Sequence, residues 1–239
     1  MTNFFKSSEP LDLNEHTLII PGVSVGNVPQ FSVDLLITTF DLKKVATIWH
    51  PGIVSSVGND PFTPDSTEIC TACELYSNKE SKISAIQLRS TLEFKLVKNF
   101  IEDLKSALGG FKLKKIVILA SGFDYELHTV SSNKFFYVSN DGVDKLMKDN
   151  GVKALENDAN EKYYIHGDGF GCILFSILSE KFKTTILVKY VSEGDNIPDA
   201  FSMFEKLCRI IDLKFSMESI QIPYSWKNVF GGPPPLGIF

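Results

Sequence analysis

Apolar residues along this chain follow two rhythms. Short runs of Ile, Val and Leu leave few polar positions between them, whereas longer stretches bring an apolar residue back every three or four positions. The short runs predict strands over residues 17–25 (broken at Pro21-Gly22), 44–49, 69–76, 83–88, 115–120 and 184–190. The polar Ser77-Asn78-Lys79-Glu80 reads as the turn of a hairpin between the third and fourth of these. The slower rhythm predicts a helix over residues 28–40, where Val28, Phe31 and Leu35 are joined by Leu36 and Phe40. A second helix follows from Phe94, Val97, Ile101, Leu104 and Leu108 and stops at Gly109-Gly110. Residues 172–178 are apolar almost all round and predict a buried helix, and Phe201, Phe204, Cys208 and Ile211 mark the last one. The polar stretch 121–162 shows only a short helix near residues 144–148. Strands alternating with helices, two of the strands apolar enough to be covered on both faces, define the class as α/β. The expected architecture is three-layer α/β/α with a mixed, largely parallel central sheet.

Two turns share one chemistry. Val25-Gly26-Asn27-Val28-Pro29 and Gly194-Asp195-Asn196-Ile197-Pro198 each deliver an apolar run into a helix. Gly accepts backbone angles that other residues avoid, Asn is expected to cap the free N–H groups, and Pro in the first turn needs no N–H there.

Composition narrows the function. A chain of 239 residues is long enough for a full core, and residues 1–239 are expected to form one domain with a Pro/Gly-rich tail at about 230–239. A formal charge of -5 argues against nucleic acid as a partner, and Lys43-Lys44 and Lys112, Lys114, Lys115 read as solvated element ends. Lys6 and Glu9 interrupt any secretory apolar run, and no stretch of about 18 apolar residues is present, so the expectation is a cytoplasmic and nuclear protein with no membrane partner. The 4 cysteines are too sparse for a disulfide framework. Cys70 and Cys73 form a CxxC inside a predicted strand, where an i, i+3 pair points to opposite faces, and no second pair or His cluster completes a zinc site.

The chemical candidates are few. Gly167-x-Gly169-x-Gly171 before a helix has the form of a phosphate cradle, but its spacing is not that of a dinucleotide site or a P-loop, and Asp168 places a negative charge where phosphate would lie. Glu193, Asp195 and Asp199 cluster at a helix start, where the helix dipole accounts for them. His50, His128 and His166 read as loop residues rather than catalytic bases, and no G-x-S-x-G elbow exists. These readings assign no catalytic residue, no cofactor and no metal. The last ten residues, Phe230-Gly231-Gly232-Pro233-Pro234-Pro235-Leu236-Gly237-Ile238-Phe239, read either as a stiff arm with an apolar tip suited to a pocket or as a tail that folds back or stays disordered.

The blocks Val23-Ser24-Val25-Gly26-Asn27-Val28-Pro29-Gln30 with Asp34-Leu35-Leu36, Val57-Gly58-Asn59-Asp60-Pro61, Ile86-Gln87-Leu88-Arg89-Ser90, Val191-Ser192-Glu193-Gly194-Asp195-Asn196-Ile197-Pro198-Asp199-Ala200 and Ser225-Trp226 occur in order over nearly the whole chain. Together they resemble the proteasome assembly chaperone 2 family; residues 121–162 match it poorly. The resemblance implies a non-enzymatic chaperone of proteasome core-particle assembly. It would pair with the paralogous proteasome assembly chaperone 1 as a heterodimer and bind proteasome α-type subunits on the outer face of the α-ring. It further implies that Ser24, Gly26, Asn27, Pro29, Glu193, Gly194, Asp195, Asn196 and Trp226 are structural motif residues. Leu236, Ile238 and Phe239 would dock between α-subunits, although the family's penultimate tyrosine is replaced here by Ile238. The competing expectation is a phosphorylase- or hydrolase-like enzyme that uses the Gly167 to Gly171 loop for phosphate and Glu193/Asp195 for acid/base chemistry.

Overall fold

The computed structural model describes residues 4–127, 134–156 and 163–228. In chain order the strands are β1 (Phe5–Lys6), β2 (Thr17–Pro21), β3 (Lys43–Ile48), β4 (Val57–Asn59), β5 (Ile69–Thr71), β6 (Cys73–Asn78), β7 (Ile83–Leu88), β8 (Lys115–Phe123), β9 (Phe135–Ser139), β10 (Lys153–Ala154) and β11 (Thr184–Val191). The helices are α1 (Val28–Thr39), α2 (Val97–Leu108), α3 (Asp144–Asp149), α4 (Gly171–Leu178) and α5 (Ile197–Ile210). A nine-stranded sheet runs in the order β1-β3-β6-β7-β2-β8-β11-β9-β10, and β4 and β5 form a small separate ribbon. Its centre, β7-β2-β8-β11, is parallel, while the β1, β3, β6 side and the β11–β9 pairing add antiparallel contacts. The mixed sheet expected from the apolar runs is the one observed.

Period-two alternation divides the core into two layers. Leu18 and Ile20 of β2, Ile116, Ile118 and Ala120 of β8, and Ile186 and Val188 of β11 face α2 and α4. Ile19, Val117, Leu119 and Leu187 face α1, α3 and α5. A strand buried on both sides needs no polar alternation, which is why β8 and β11 read as continuous apolar runs. Each of these side chains is essentially removed from water, and each Ile, Leu and Val among them is worth about 1.5–3 kcal/mol.

Local departures from the expected elements have physical causes. The strand expected over 69–76 breaks at Ala72, so Cys70 lies in the β4–β5 ribbon and Cys73 begins a core strand. The helix expected from Phe94 begins instead at Val97. Residues 94–96 form a 3₁₀ turn, with Phe94 88% exposed outside the apolar stripe. Gly109 ends α2 where expected, in right-handed geometry. Residues 172–178 form a half-buried helix, Leu174 and Leu178 inward, because α4 covers one face of the sheet and is itself covered on one side only. Strands β9 and β10, in the polar stretch, went unpredicted. Lys44 and Lys115 are not simply solvated ends: Lys44 reaches buried Glu74 at 2.5 Å, and Lys115 donates to the carbonyl of Ile210.

Candidate functional site

Strands β2, β7, β8 and β11 run parallel, so their carboxyl ends meet at one rim of the sheet. Strand β3 shares that direction, being antiparallel to β6, which is antiparallel to β7. The strand that follows β2 is β3, toward one edge of the sheet, and the strand that follows β8 is β9, toward the other, and a point where the strand order diverges in this way is where open α/β folds place ligands. The two Gly-Asn turns, the Gly167 to Gly171 loop and the loop after β8 all gather there.

In this fold the chain's own loops fill the crevice. Val25 N–H donates to the Gly167 carbonyl at 2.9 Å. Gly169, at φ +64°, lies so close to the β2–α1 turn that a Cβ on it would stand 1.9 Å from the Val23 carbonyl oxygen. The Ser24 hydroxyl lies 2.8 Å from that of Ser121 and accepts the Ser121 N–H, and the Ser121 hydroxyl donates to the Val25 carbonyl. Asp168 accepts the Cys172 N–H at 2.7 Å and so closes the start of α4. The glycines therefore permit close packing of chain on chain. The phosphate cradle of the enzyme reading is occupied by the β2–α1 turn.

The two turn motifs, 168 residues apart at Ser32 and Ala200, are brought side by side because α1 and α5 pack on the same face and are joined there by the Ser32 hydroxyl on the Ala200 carbonyl. The Asn196 carboxamide lies against Gly26, whose φ is +70°, so that a Cβ at Gly26 would meet Asn196 Nδ2 at 2.5 Å. The expected capping is corrected: neither Asn27 nor Asn196 makes a side-chain cap. Asn27 takes the left-handed turn conformation itself, φ +51°, and Asn196 Nδ2 donates back to the Gly194 carbonyl. The cap on α5 is Asp195, which accepts the Ile197 N–H at 3.0 Å. Asp199 is drawn to buried Lys189, 2.7 Å away. Burial pulls the Lys189 ammonium below its ordinary range while Asp199 opposes. Glu193 is exposed, so Glu193, Asp195 and Asp199 do not converge on one point as acid/base chemistry would need. Pro29 enters the first turn of α1 as expected. Trp226 closes the same layer against Phe31 of α1 and Phe201 of α5, with ring centroids at 5.1 and 6.2 Å.

Outside this crevice the rim is aromatic. Phe123 stacks on Tyr125 with centroids 5.0 Å apart, and the Tyr164 hydroxyl lies 3.3 Å from His166 Nδ1. Tyr125 and Tyr164 are 66% and 74% exposed. Asp124 holds Lys134 and Ser192 and is kept below its ordinary pKa by those hydrogen bonds. Sequence reasoning missed this group because Tyr125 and Tyr164 sit in the patternless stretch or just beyond it.

The remaining candidates find structural roles. His50 is buried rather than a free loop residue, its Nδ1 accepting the Gly52 N–H and its ring edge-on to Phe100. His166 is an exposed loop residue at the rim, and His128 lies outside the described residues. Burial pushes the Cys70 thiol up to about 11 and raises Cys73, Cys172 and Cys208 as well, which opposes thiolate chemistry. A cleft of about 270 Å³ beside Lys44, Phe62, Cys70 and Tyr76 is lined by the Glu74 carboxylate, already engaged by Lys44, Tyr76 and Thr71. Among the described residues no group of three or more His, Cys, Asp or Glu could hold a metal ion, and no helix is long and apolar enough to cross a membrane. Leu236, Ile238 and Phe239 lie outside the described residues.

A three-layer α/β domain whose ligand crevice is packed with its own loops, and whose open rim carries aromatic rings, has the construction of a protein that binds other surfaces. The PAC2 family profile matches residues 18–222, and the chain belongs to the PAC2 family. It is 31% identical to the human protein named Proteasome assembly chaperone 2 over 95% of this chain and 96% of that one. It is 29% identical to the Xenopus tropicalis protein of the same name, over 95% of each. Among solved structures, Pyrococcus furiosus PbaA, described as an archaeal homolog of proteasome-assembly chaperone, superposes with a TM-score of 0.69 at 15% identity, covering 90% of this chain and 89% of its own. P. furiosus PbaB, described as an archaeal proteasome activator, gives 0.66 at 14% identity over 90% and 91%. At such identities these two structures speak for the fold.

Proposed function

We propose that this protein is a non-enzymatic chaperone in assembly of the proteasome core particle. The observation that carries the reading is the end-to-end match to relatives named Proteasome assembly chaperone 2, with the human protein aligned over 95% of this chain. The filled crevice supports it, because an anion or substrate has no room where the fold would place one. In the finer reading, the chain forms a heterodimer with the paralogous proteasome assembly chaperone 1 in the cytoplasm and nucleus. The pair sits on the outer face of the α-ring, and Leu236, Ile238 and Phe239 enter between α-subunits.

Affinity capture of the tagged chain, followed by mass spectrometry, is expected to return a paralogous chaperone and α-type proteasome subunits in excess over β-type subunits. Absence of proteasome subunits would overturn the reading. Deleting residues 237–239 is expected to weaken α-ring binding while leaving the heterodimer intact; unchanged ring affinity would remove the tail from the mechanism.

A further inference from the structure

The filled crevice leaves the outer rim beside β8 and β11 without a role. Three kinds of group meet there. Tyr125 and Tyr164 present exposed rings, stacked on Phe123 and hydrogen-bonded to His166 respectively. Glu126 and Glu193 are exposed carboxylates with no ion-pair partner among the described residues. Asn196, 7% exposed at the same rim, has a buried Oδ1 that accepts no hydrogen bond among the described residues. Among the described residues the nearby lysines are already committed, Lys134 to Asp124 and Lys189 to Asp199. Among the described residues, the exposed groups left without a partner here are therefore π-faces and carboxylates, and what such a surface lacks is a donor-rich cation.

We propose that this rim is a docking surface for a Lys- or Arg-bearing segment of a partner protein. This rests on the chaperone reading only for the identity of the partner. An Arg or Lys can lie over an exposed tyrosine ring while its head meets Glu126 or Glu193, and interfaces concentrate their energy in such aromatic and cationic anchors. The other occupants are poorer matches. A two-fold pairing of this chain with itself would bring the same carboxylates against each other, on a molecule whose formal charge is already -5. Residues 230–239 contain no Lys or Arg and cannot supply the cation.

The test uses the full chain, isotope-labelled, titrated with a synthetic peptide of alternating Lys/Arg and Leu and, separately, with its Glu/Leu counterpart. Backbone amide shifts are expected at Tyr125, Glu126, Tyr164, Glu193 and Asn196 with the basic peptide only. Affinity should fall about tenfold or more in Glu126→Lys/Glu193→Lys and in Tyr125→Ser/Tyr164→Ser. Thermal melting should be unchanged, since all four side chains are exposed. Trp49→Ser, on the other half of the rim, should have no effect. Equal response to both peptides, shifts mapping elsewhere, or a double charge reversal without effect each overturns the proposal. So does a change of sedimentation state in the rim variants, which would make the occupant a second copy. A parallel arm measures binding to purified α-type proteasome subunits. A rim that takes the basic peptide on a chain that ignores those subunits upholds the surface and overturns the chaperone reading. A chain that binds them equally well with and without Glu126→Lys/Glu193→Lys overturns the surface and upholds the reading.

Discussion

At Gly169 the absence of a single methyl group decides whether the β2–α1 turn and the entry to α4 can touch. Gly169→Ala would force its Cβ to within 1.9 Å of the Val23 carbonyl at a φ of +64°, so both turns must shift. Equilibrium denaturation should show a loss of about 3 kcal/mol. Gly26→Ala meets the Asn196 carboxamide instead, and a side chain can be removed. The double variant Gly26→Ala/Asn196→Ala should be less destabilised than the sum of the single variants by about 1 kcal/mol; strict additivity would separate the two motifs. His16 carries a pH dependence. It is 1% exposed, its Nδ1 lies 2.8 Å from Ser84 Oγ, and its Nε2 has no partner among the described residues. Burial, reinforced by Lys82 and opposed by Asp12, holds its pKa below the ordinary 6.5. The unfolded chain therefore binds this proton more readily, and the stability His16 confers is complete above about pH 6.5 and declines as pH falls through and below that value. Urea midpoints for the wild type should drop from pH 7 to pH 5, and His16→Gln should flatten that slope. The Gly-Asn turns were legible in the sequence as turns. Their capping was not, because an Asn beside a helix has several possible partners and the backbone conformation chooses among them: here Asn27 went left-handed and Asp195 took the N–H.

Helices α1 and α5 form one layer, and Trp226 seals its end from outside both of them. Trp226→Ala should cost about 3 kcal/mol through the cavity left between Phe31 and Phe201. Native tryptophan emission should also move to the red, because the other tryptophan, Trp49, is already exposed. On the same face of the sheet, Glu74 anchors β3 and the β4–β5 ribbon to β6 through Lys44, Thr71 and Tyr76. Burial alone would raise its pKa, but those hydrogen bonds outweigh burial and hold it below the ordinary 4.5. Glu74→Ala leaves donors without their acceptor and should cost about 3 kcal/mol or more in a denaturation measurement at pH 7. Strands β2, β8 and β11 and helices α1 and α5 were readable because burial imposes a strict period on them. Strand β9 was not, although Phe135-Phe136-Tyr137-Val138 is an apolar run covered on both faces, because the polar residues around it in the chain mask so short a run; β10 was not because a two-residue edge strand leaves no period to read.

Across the whole molecule, thiol reactivity reports on opening. Cys73 and Cys208 lie in opposite core layers, Cys70 in the ribbon and Cys172 on α4, all with thiols made less acidic chiefly by burial. Labelling by an aromatic disulfide at pH 7.5 should be slow in native protein, and the core cysteines should react at rates that follow unfolding as denaturant is added. Oxidant should not join Cys70 to Cys73 without prior opening, as the two sit in separate sheets.

The order of strands and helices, the three-layer class and the positions of the turns were determined by the sequence itself, since the periods of apolar residues answer to burial and Gly, Pro and Asn answer to local backbone angles. Its motif blocks also carried the family. Which turns would meet was a different matter. Gly26 and Asn196 lie far apart in the chain and become neighbours only when parallel strands place their carboxyl ends at one rim and α1 and α5 share a face. The same closure decided that Gly169 packs on Val23 instead of cradling an anion, and that Tyr125 and Tyr164 stand in the open. Close packing between distant segments depends on their relative placement in three dimensions, and no local pattern records it.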